Sequence, residues 1–491
     1  MAVTIHPDPS PDTEPAPTPT GPRLGPALAV ICAGVFMTSL DLFIVNLAFP
    51  SIGREFHGTS LATLSWVLNA YTIVLAALLV PAGRWADLVG RRRIFVFGLA
   101  LFTGGSVLCG VAPGVGLLIA ARVVQATGAA MLIPASLSLL LAVVPAAGRP
   151  KAIGLWAAVG AMAAALGPVV GGALVEVNWR WVFLVNLPVG VVALVLAVRV
   201  LPESRDETTH HRPDALGAVL LAAAVGGTAL VLVQAPTWGW GSGRILFLAT
   251  AVVAAFAGFV ARCATHRAPV IELGLLRVRS FSGAFVASLL FYGAFGAFVL
   301  NTVEFLTGVW HDSPLVAGLA IAPGPLMVLP FARLVSPALA PRLGGPGRVA
   351  ALGCLVYAAG SALWLAHLHA GATYVVDLLP AQLITGAGVG LVIPSLVAAG
   401  TMALPPARFG TGSGIINMGR QIGIVLGVAA LIAILDTLRP ADPFPTFRSG
   451  VLLIIGLSLA AGAASLAIGR LRVAGGPGVA TVTVDTAEVA A

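Results

Sequence analysis

The stretch that decides the fold is GRWADLVGRRR, residues Gly83–Arg93, which stands between two long apolar runs. Its eleven residues include four arginines and one aspartate, so we expect them to leave the hydrocarbon and form a short loop between two membrane spans. Arginine and lysine accumulate in cytoplasmic loops, which predicts that this loop faces the cytoplasm. Gly83 and Gly90 favour a tight turn over a flexible linker.

The composition excludes a soluble protein. Of the 491 residues, 58% are hydrophobic and only 9% are charged, whereas soluble domains carry about 25% charged residues. The net charge of +8 comes almost wholly from arginine, since Lys151 is the single lysine. These arginines lie in short loops between apolar runs, so we interpret them as orientation signals and expect no nucleic-acid partner.

Cysteine usage and known motifs argue against a metal, a cofactor or an enzyme. Cys32, Cys109, Cys263 and Cys354 lie singly in separate apolar runs, and the sequence contains no CxxC and no Cys/His cluster. It also contains no phosphate-binding GxxxxGK[ST] loop. We therefore expect no disulfide, no metal site, no cofactor, no catalytic residue and no use of ATP.

Apolar runs of sufficient length recur along the whole chain. A membrane-spanning helix requires roughly 20 apolar residues, and strands are not expected because no residue alternation is present. An all-α integral membrane protein with fourteen spans is predicted, at 25–49, 61–81, 94–112, 115–143, 151–175, 181–201, 215–235, 244–263, 281–309, 315–340, 349–369, 374–402, 410–436 and 448–470.

The distribution of basic residues tests this count. If the N-terminus is cytoplasmic, nearly all loop arginines fall on the cytoplasmic side, and the opposite side carries only Arg54, Arg180, Arg244, Arg439 and Arg448. Loss of one span would scramble this asymmetry over the rest of the chain. We therefore expect a multi-pass protein of the cell membrane with both termini in the cytoplasm.

An internal repeat appears when the chain is shifted by 260 positions. The shift superposes Gly128 on Gly388, Pro134 on Pro394, Pro145 on Pro405, Gly154 on Gly414 and Gly167 on Gly427. Spans 4 and 5 thus match spans 12 and 13, which predicts two six-helix halves with spans 7 and 8 as additions between them. Parallel repeats of this kind enclose a substrate path between the halves in the major facilitator fold.

The repeat divides the chain into five predicted parts. Residues 1–23 are expected to be a disordered cytoplasmic tail, 24–201 the N-terminal half, and 202–280 the two extra spans with flanking cytoplasmic loops. Residues 281–472 are expected to be the C-terminal half and 473–491 a cytoplasmic tail.

Two opposite charges are predicted at similar depth in the membrane. Asp41 lies in span 1, about 24 Å from its cytoplasmic end, and Arg122 lies in span 4, about 10 Å below the outer boundary. Unpaired charges in the membrane are costly and mark ion or substrate pathways. An aspartate whose arginine contact changes between conformations can take up and release a proton. In the alternative interpretation, Arg122 only clamps helices together and Asp41 is a shielded or capping carboxyl group.

The sequence leaves more than one role open for other polar residues within the spans. Glu304, near the outer end of span 9, either attracts cations or carries protons, or lies at the interface and does neither. Arg420, in the middle of span 13, either faces a cavity or packs against a neighbouring carbonyl. Gln382 is the counterpart of Arg122, which places the charge in the N-terminal half alone.

Span 5 contains GAMAAALGPVVGG, residues Gly160–Gly172. Small residues allow helices to approach closely in membranes, and a proline frees a backbone carbonyl and permits a kink. The density of small residues together with Pro168 predicts a functional bend, with generic helix packing as the alternative.

Several of these segments together resemble the 14-span drug:proton antiporter branch of the major facilitator superfamily. The loop GRWADLVGRRR is similar to the superfamily's signature after span 2, with matching residues Gly83, Asp87, Gly90 and Arg91. LDLFIVNLAFP is similar to the first-span motif of that branch at Asp41, Asn46 and Pro50. AARVVQATGAAMLIP resembles the fourth-span motif at Arg122, Gln125 and Gly128. LGPVVGG resembles the antiporter motif of span 5, with Gly167, Pro168, Gly171 and Gly172.

The resemblance implies a function and roles for particular residues. It implies a monomeric, proton-coupled exporter of amphipathic or lipophilic organic compounds and antibiotics, with the substrate, protons and lipid as its partners. The resemblance assigns proton coupling to Asp41 and Arg122, with Glu304 as a further acid. It assigns gating to the loop motif. Asn46, Gln125, Gln382 and Asn417 are expected to line the substrate cavity. The alternatives are an exporter dedicated to one metabolite, such as an antibiotic self-resistance pump, and a membrane sensor that transports nothing.

Overall fold

The computed structural model describes residues 24–145, 148–205, 212–368, 373–402, 404, 409–436, 442–468, 472–473 and 482–483. The predicted N-terminal tail, most of the C-terminal tail, Pro405 and Arg439 lie outside the described residues. From the C-terminal tail, the structure describes two short antiparallel strands, Arg472–Val473 and Val482–Thr483.

Fourteen described helices are long and apolar enough to cross a membrane, which confirms the predicted number of spans. In chain order, spans 1 to 14 are Leu24–Glu55, Leu61–Val89, Arg91–Gly110, Val115–Val143, Lys151–Val177, Trp181–Val200, Ala215–Trp238, Gly243–Thr265, Arg279–Gly308, Pro314–Leu343, Pro346–Ala366, Tyr374–Gly400, Thr411–Leu435 and Phe444–Leu466. A short 3₁₀ helix, Leu275–Arg277, precedes span 9.

Some spans consist of several helical segments. Span 2 contains Leu61–Leu64 and Trp66–Val89, and span 6 contains Trp181–Leu184 and Asn186–Val200. Span 10 is the most divided, with α-helices Pro314–Ile321, Pro323–Pro330 and Ser336–Leu343 and the π-helical turn Phe331–Val335. Span 12 begins with a π-helical turn, Tyr374–Leu378, and continues as the α-helix Leu379–Met402. The helices of spans 5 and 13 begin two residues before the spans themselves. They are Arg149–Val177 and Phe409–Leu435.

The stretch Gly83–Arg93 differs from the expected loop. Span 2 remains helical through Val89 and span 3 begins at Arg91, so Gly90 alone separates the two helices. Gly90 has φ = +130°, a conformation that residues with a side chain rarely adopt. The prediction of a tight turn is therefore confirmed, and the predicted short loop is reduced to Gly90, since the other ten residues of the stretch are helical. The charges are carried on helix ends that extend beyond the apolar part of the spans.

Helix packing forms the two predicted halves. In the first half, span 1 packs on spans 4, 5 and 6, and span 4 packs on spans 2 and 3. In the second half, span 9 packs on spans 12, 13 and 14, and span 11 packs on spans 12 and 14. The halves meet where span 2 packs on span 13 and where span 5 packs on span 10. We call these two contacts the seams.

The extra spans lie beside one seam. Spans 7 and 8 pack on each other, and span 7 also packs on spans 2 and 13. Span 8 is the least buried, with only 11% of its apolar window inside the protein. Although these two spans are central in the sequence, they lie at the edge of the bundle.

Close glycine contacts show that the repeat is structural. A Cβ on Gly128 of span 4 would lie 2.4 Å from the Phe102 nitrogen of span 3. Its counterpart Gly388 would meet the Tyr357 nitrogen of span 11 at 2.7 Å. Both halves thus use small residues to bring the same pair of helices into contact.

Candidate functional site

Asp41 and Arg122, predicted at similar depth, are in direct contact. Arg122 Nη1 donates a hydrogen bond of 2.6 Å to Asp41 Oδ2, and both side chains are fully buried between spans 1 and 4. The pair forms because both residues face the interior of the first half, where each charge would be costly without the other.

Neighbouring polar groups complete the pair. Gln125 lies one helical turn after Arg122, accepts from Arg122 Nη1 at 2.7 Å, and donates to Asp41 Oδ1 at 2.8 Å. Gln125 Nε2 also donates to Ser106 Oγ at 2.8 Å, and Arg122 Nε donates to the Val67 carbonyl at 3.1 Å. Both carboxylate oxygens of Asp41 therefore accept a hydrogen bond. Such mutual satisfaction is what allows an ion pair to remain buried.

An aromatic ring covers the guanidinium group. The Cζ of Arg122 lies 4.0 Å from the centroid of Tyr71 in span 2, a cation–π distance. We call the set Asp41, Ser106, Arg122, Gln125 and Tyr71 the charge cluster. It links spans 1, 2, 3 and 4, so a change of charge on Asp41 would alter contacts that join all four helices.

Among the described residues of the second half, no equivalent cluster is found. Gln382 stands at the position of Arg122 and Thr385 at the position of Gln125, as the shift of 260 requires. Gly167 packs on Phe43, and its counterpart Gly427 packs on Gly293, so Phe291 corresponds to Asp41. An amide and an aromatic ring thus replace the two buried charges of Arg122 and Asp41, and a hydroxyl replaces the Gln125 amide.

The stretch Gly83–Arg93 forms a second group of polar contacts, here called the turn cluster. Asp87 and Arg91 make an ion pair of 3.0 Å across the break at Gly90. Glu203, which follows span 6, accepts from the Arg92 backbone nitrogen at 3.1 Å and lies 3.6 Å from Arg93 Nε. The Ser204 carbonyl accepts from the Arg91 nitrogen at 2.8 Å. The segment after span 6 therefore caps the start of span 3.

The turn cluster is also tied to the segment before span 9. Arg84 Nη2 donates to Glu272 Oε1 at 3.2 Å, which joins the first half to residues that follow span 8. Gly83 itself packs against Pro134, and a Cβ there would lie 3.2 Å from the Pro134 side chain. All four predicted residues, Gly83, Asp87, Gly90 and Arg91, thus lie at contacts between helices.

The motif of span 5 lies at the seam with span 10. A Cβ on Gly172 would lie 2.5 Å from the Pro314 carbonyl, and one on Gly318 would lie 2.2 Å from the Pro168 carbonyl. Gly167 and Gly171 pack instead on Phe43 and Ile44 of span 1. The small residues therefore let span 5 touch both span 1 and the other half. The helix is continuous through Pro168, so the predicted bend does not interrupt it.

The contacts of this seam are concentrated toward one end. We call the side where span 1 begins the N-terminal face. Gly172 and Gly318 lie toward the opposite face, where Glu176 also accepts from the Leu315 nitrogen at 3.4 Å. Toward the N-terminal face, Gly154 of span 5 has no atom within 4 Å of a built Cβ. Along span 10, the first segment, Pro314–Ile321, carries most of the contact with span 5, and the next segment, Pro323–Pro330, touches it at few positions.

Glu304 and Arg420 lie in the second half and are not part of the charge cluster. Glu304 Oε1 is buried and has no hydrogen-bond partner among the described residues. Arg420 was expected either to face a cavity or to pack against a neighbouring carbonyl, and its Nε meets no carbonyl among the described residues. Its Cζ lies 4.5 Å from the centroid of Tyr292, and its Nε lacks a partner in the described part of the chain.

Two of the four residues expected to line the cavity are enclosed in this structure. Gln125 is fully buried within the charge cluster, and Gln382 is 1% exposed, so neither lines an open cavity here. Both amides are enclosed because close helix contacts in spans 3–4 and 11–12 exclude solvent. Asn46 and Asn417 are partly exposed, and Asn46 Nδ2 donates to the Leu42 carbonyl of its own helix at 3.0 Å.

Sequence reasoning missed several residues of these contacts. Tyr71, Ser106 and the Val67 carbonyl carry no signal beyond ordinary span residues. Glu203 had one available signal, an acid directly after span 6 and level with a cluster of arginines. Arg333 of span 10 is exposed about 28 Å along the helix from Pro314, and it adds positive charge near the N-terminal face.

Comparison with known proteins gives a consistent family assignment. The Major Facilitator Superfamily model matches residues 31–428. The chain is 34% identical over 427 residues to the multidrug resistance protein Stp of Mycobacterium tuberculosis, covering 85% of this chain and 77% of that protein. It is 32% identical over 447 residues to the tetracenomycin C resistance and export protein of Streptomyces glaucescens, covering 91% and 82%.

A solved structure shares the fold. A D-xylose-proton symporter superposes with a TM-score of 0.65, covering 90% of this chain and 97% of that one at 14% sequence identity. At this identity the likeness concerns the fold alone.

Proposed function

This chain belongs to the Major Facilitator Superfamily, and on that premise we propose that it is a proton-coupled exporter of amphipathic or lipophilic organic compounds. The relatives named above are resistance and export proteins, and they align with most of this chain. We further propose that it acts as a monomer in the cell membrane, with both termini in the cytoplasm. The excess of basic residues on the N-terminal face supports this orientation.

The buried contact between Asp41 and Arg122 carries the proposal of proton coupling. Both oxygens of Asp41 accept hydrogen bonds, from Arg122 and from Gln125, and a proton on either oxygen would remove the charge that pairs with Arg122. In the cycle we propose, Asp41 takes a proton from outside when a change of helix packing loosens this pair. The proton leaves to the cytoplasm when the pair re-forms, and the free energy of its passage drives export.

The two seams support alternating access as the transport step. The close contacts of Gly172 and Gly318 shut one end of the path, which in the proposed orientation is the outside. Rocking of the halves would separate these contacts and bring spans 5 and 10 together at the cytoplasmic end. Because the turn cluster joins spans 2, 3 and 6 to the segment before span 9, we assign it to gating rather than to binding.

Replacement of one acid tests the coupling. The Asp41→Asn variant keeps the shape of the side chain and removes its titration. In liposomes with an imposed pH gradient, we expect this variant to lose gradient-driven dye accumulation and to keep slow substrate exchange without a gradient. Asp312→Asn, in the loop between spans 9 and 10, is the matched control. Full pH-dependent transport by Asp41→Asn would refute the proposed role of Asp41.

A dedicated exporter of one metabolite is the second candidate, favoured by the likeness to the tetracenomycin C resistance and export protein. A panel of labelled dyes and antibiotics in a deletion host separates the two, with and without a protonophore. A reduction in accumulation across many compounds supports the multidrug function. Accumulation that expression leaves unchanged across the panel supports the dedicated one.

A further inference from the structure

Arg420 is a charged side chain in the middle of the membrane that the coupling mechanism does not use. It lies about 16 Å along its helix from Phe409, close to the centre of span 13. No carboxylate forms an ion pair with it among the described residues, and its Nε has no hydrogen-bond partner there. Its observed neighbour is the ring of Tyr292, 4.5 Å from Cζ, and the Tyr292 hydroxyl also lacks a partner.

The contrast with Arg122 defines what Arg420 lacks. Arg122 is fully enclosed and paired with Asp41, whereas Arg420 is partly exposed and has no counter-charge in the described structure. An arginine stays protonated in proteins, and a lone charge inside a membrane is costly. The Tyr292 ring meets part of this charge, and the partly exposed guanidinium group can also be reached by water or by an anion.

Aromatic side chains connect Arg420 to the surface between the halves. Tyr292 and Phe295 have ring centroids 6.1 Å apart, and Phe295 lies 6.2 Å from Phe43 of the other half. Phe43 in turn packs on Gly167 of the span 5 motif. Arg420 thus stands at one end of an aromatic row that crosses from the second half to the first. The repeat places Gly160 at the equivalent position of the first half, so the cation is present on one side only.

We propose that Arg420, held against the buried ring of Tyr292, binds the acidic group of anionic amphipathic substrates, while the partly exposed rings of Phe295 and Phe43 contact their apolar body. A guanidinium group donates two parallel hydrogen bonds to a carboxylate, or one to a phenolate, and aromatic rings accommodate a flat apolar skeleton. This inference rests on the proposed export function and adds a substrate class to it. Organic acids would then be preferred over neutral or cationic compounds of the same shape.

Three probes with the same aromatic body test this preference. Pyrenebutyric acid is anionic, pyrenebutanol neutral and pyrenebutylamine cationic at neutral pH. Binding to the purified full-length protein is measured by fluorescence titration, and transport is measured separately in liposomes with a pH gradient. The variants are Arg420→Gln, Arg420→Lys and a control, Arg244→Gln. Arg244 also lies over an aromatic ring, 5.9 Å from Trp238, but at the far end of the bundle in span 8.

We expect Arg420→Gln to weaken binding of pyrenebutyric acid by about tenfold or more, the size of one charge-assisted hydrogen-bond contact. Binding of the alcohol and the amine should be unchanged, because neither uses the guanidinium charge. Arg420→Lys should retain part of the preference for the acid, and Arg244→Gln all of it.

Two results would overturn the substrate class. One is that Arg420→Gln weakens binding of all three probes equally and that Arg420→Lys weakens it to the same extent. This result would assign Arg420 to packing. The other is a wild-type protein that binds the acid no more tightly than the alcohol. Failure of the proposed function gives a different pattern, since the binding preference would persist while the pH gradient drove no transport of any probe.

Discussion

The substitution Gly318→Ala is expected to open the seam between spans 5 and 10. The new methyl group would lie 2.2 Å from the Pro168 carbonyl oxygen and 2.9 Å from its carbonyl carbon. Both are backbone atoms of a continuous helix and cannot turn away, so the two spans must separate by roughly 1 Å to restore van der Waals contact.

The expected magnitude follows from the cost of overpacking. Extra methyl groups in well-packed regions cost about 1–3 kcal/mol. Here the cost falls only on the conformation in which spans 5 and 10 touch, so the equilibrium should shift toward the opposite conformation. With about 1.4 kcal/mol for each factor of ten, the shift is about fivefold to about 150-fold.

Distances between spin labels measure this shift. Labels on cysteines introduced at His57 and Gly308 report the separation of the two halves at the face opposite the N-terminus, after replacement of the native cysteines. We expect Gly318→Ala to lengthen this distance. Gly154→Ala is the matched control, since its methyl group meets no atom within 4 Å. An unchanged distance in folded Gly318→Ala protein would show that this contact is not part of the gate.

Three further substitutions test the other sites. Asp87→Asn breaks the 3.0 Å pair with Arg91 and should slow transport severalfold while substrate affinity, measured by titration, stays the same; loss of binding would contradict a pure gating role. Gly90→Ala forces a side chain into φ = +130° and should lower the free energy of unfolding by about 1–3 kcal/mol, against Gly104→Ala as the control in a thermal unfolding experiment. Glu304→Gln should reduce pH-dependent transport if this acid carries protons, and full activity over the pH range would remove it from the pathway.

The number of spans and their alternating orientation could be predicted because the membrane is a one-dimensional constraint. A run of about 20 apolar residues must cross it, and arginines must remain outside. The same reasoning placed Asp41 and Arg122 at similar depth, because helical rise converts position in a span directly into depth. The loop at Gly83–Arg93 is shorter than predicted because apolar content marks where hydrocarbon ends, whereas a helix continues as long as its backbone hydrogen bonds can form.

The direction in which a side chain points around its helix could not be predicted in the same way. Both Gln125 and Asn46 were predicted to line the cavity. In the structure, Gln125 is enclosed with Asp41, whereas Asn46 is partly exposed. Hydrophobic periodicity fails in these spans, since the lipid-facing and buried sides are both apolar. Contacts between distant segments, such as Glu203 with Arg92, also leave no regular pattern in the sequence.

The amino-acid sequence is enough to predict fourteen helical spans, a repeat and a small number of charges within the spans, because solvation in a bilayer acts on each segment independently. Only the tertiary structure decided which charge is neutralised. Arg122 meets Asp41, while Arg420 meets the ring of Tyr292 and no described carboxylate. The physical reason is that pairing depends on distances of 3 to 4 Å between different helices, and these distances follow from how the helices pack.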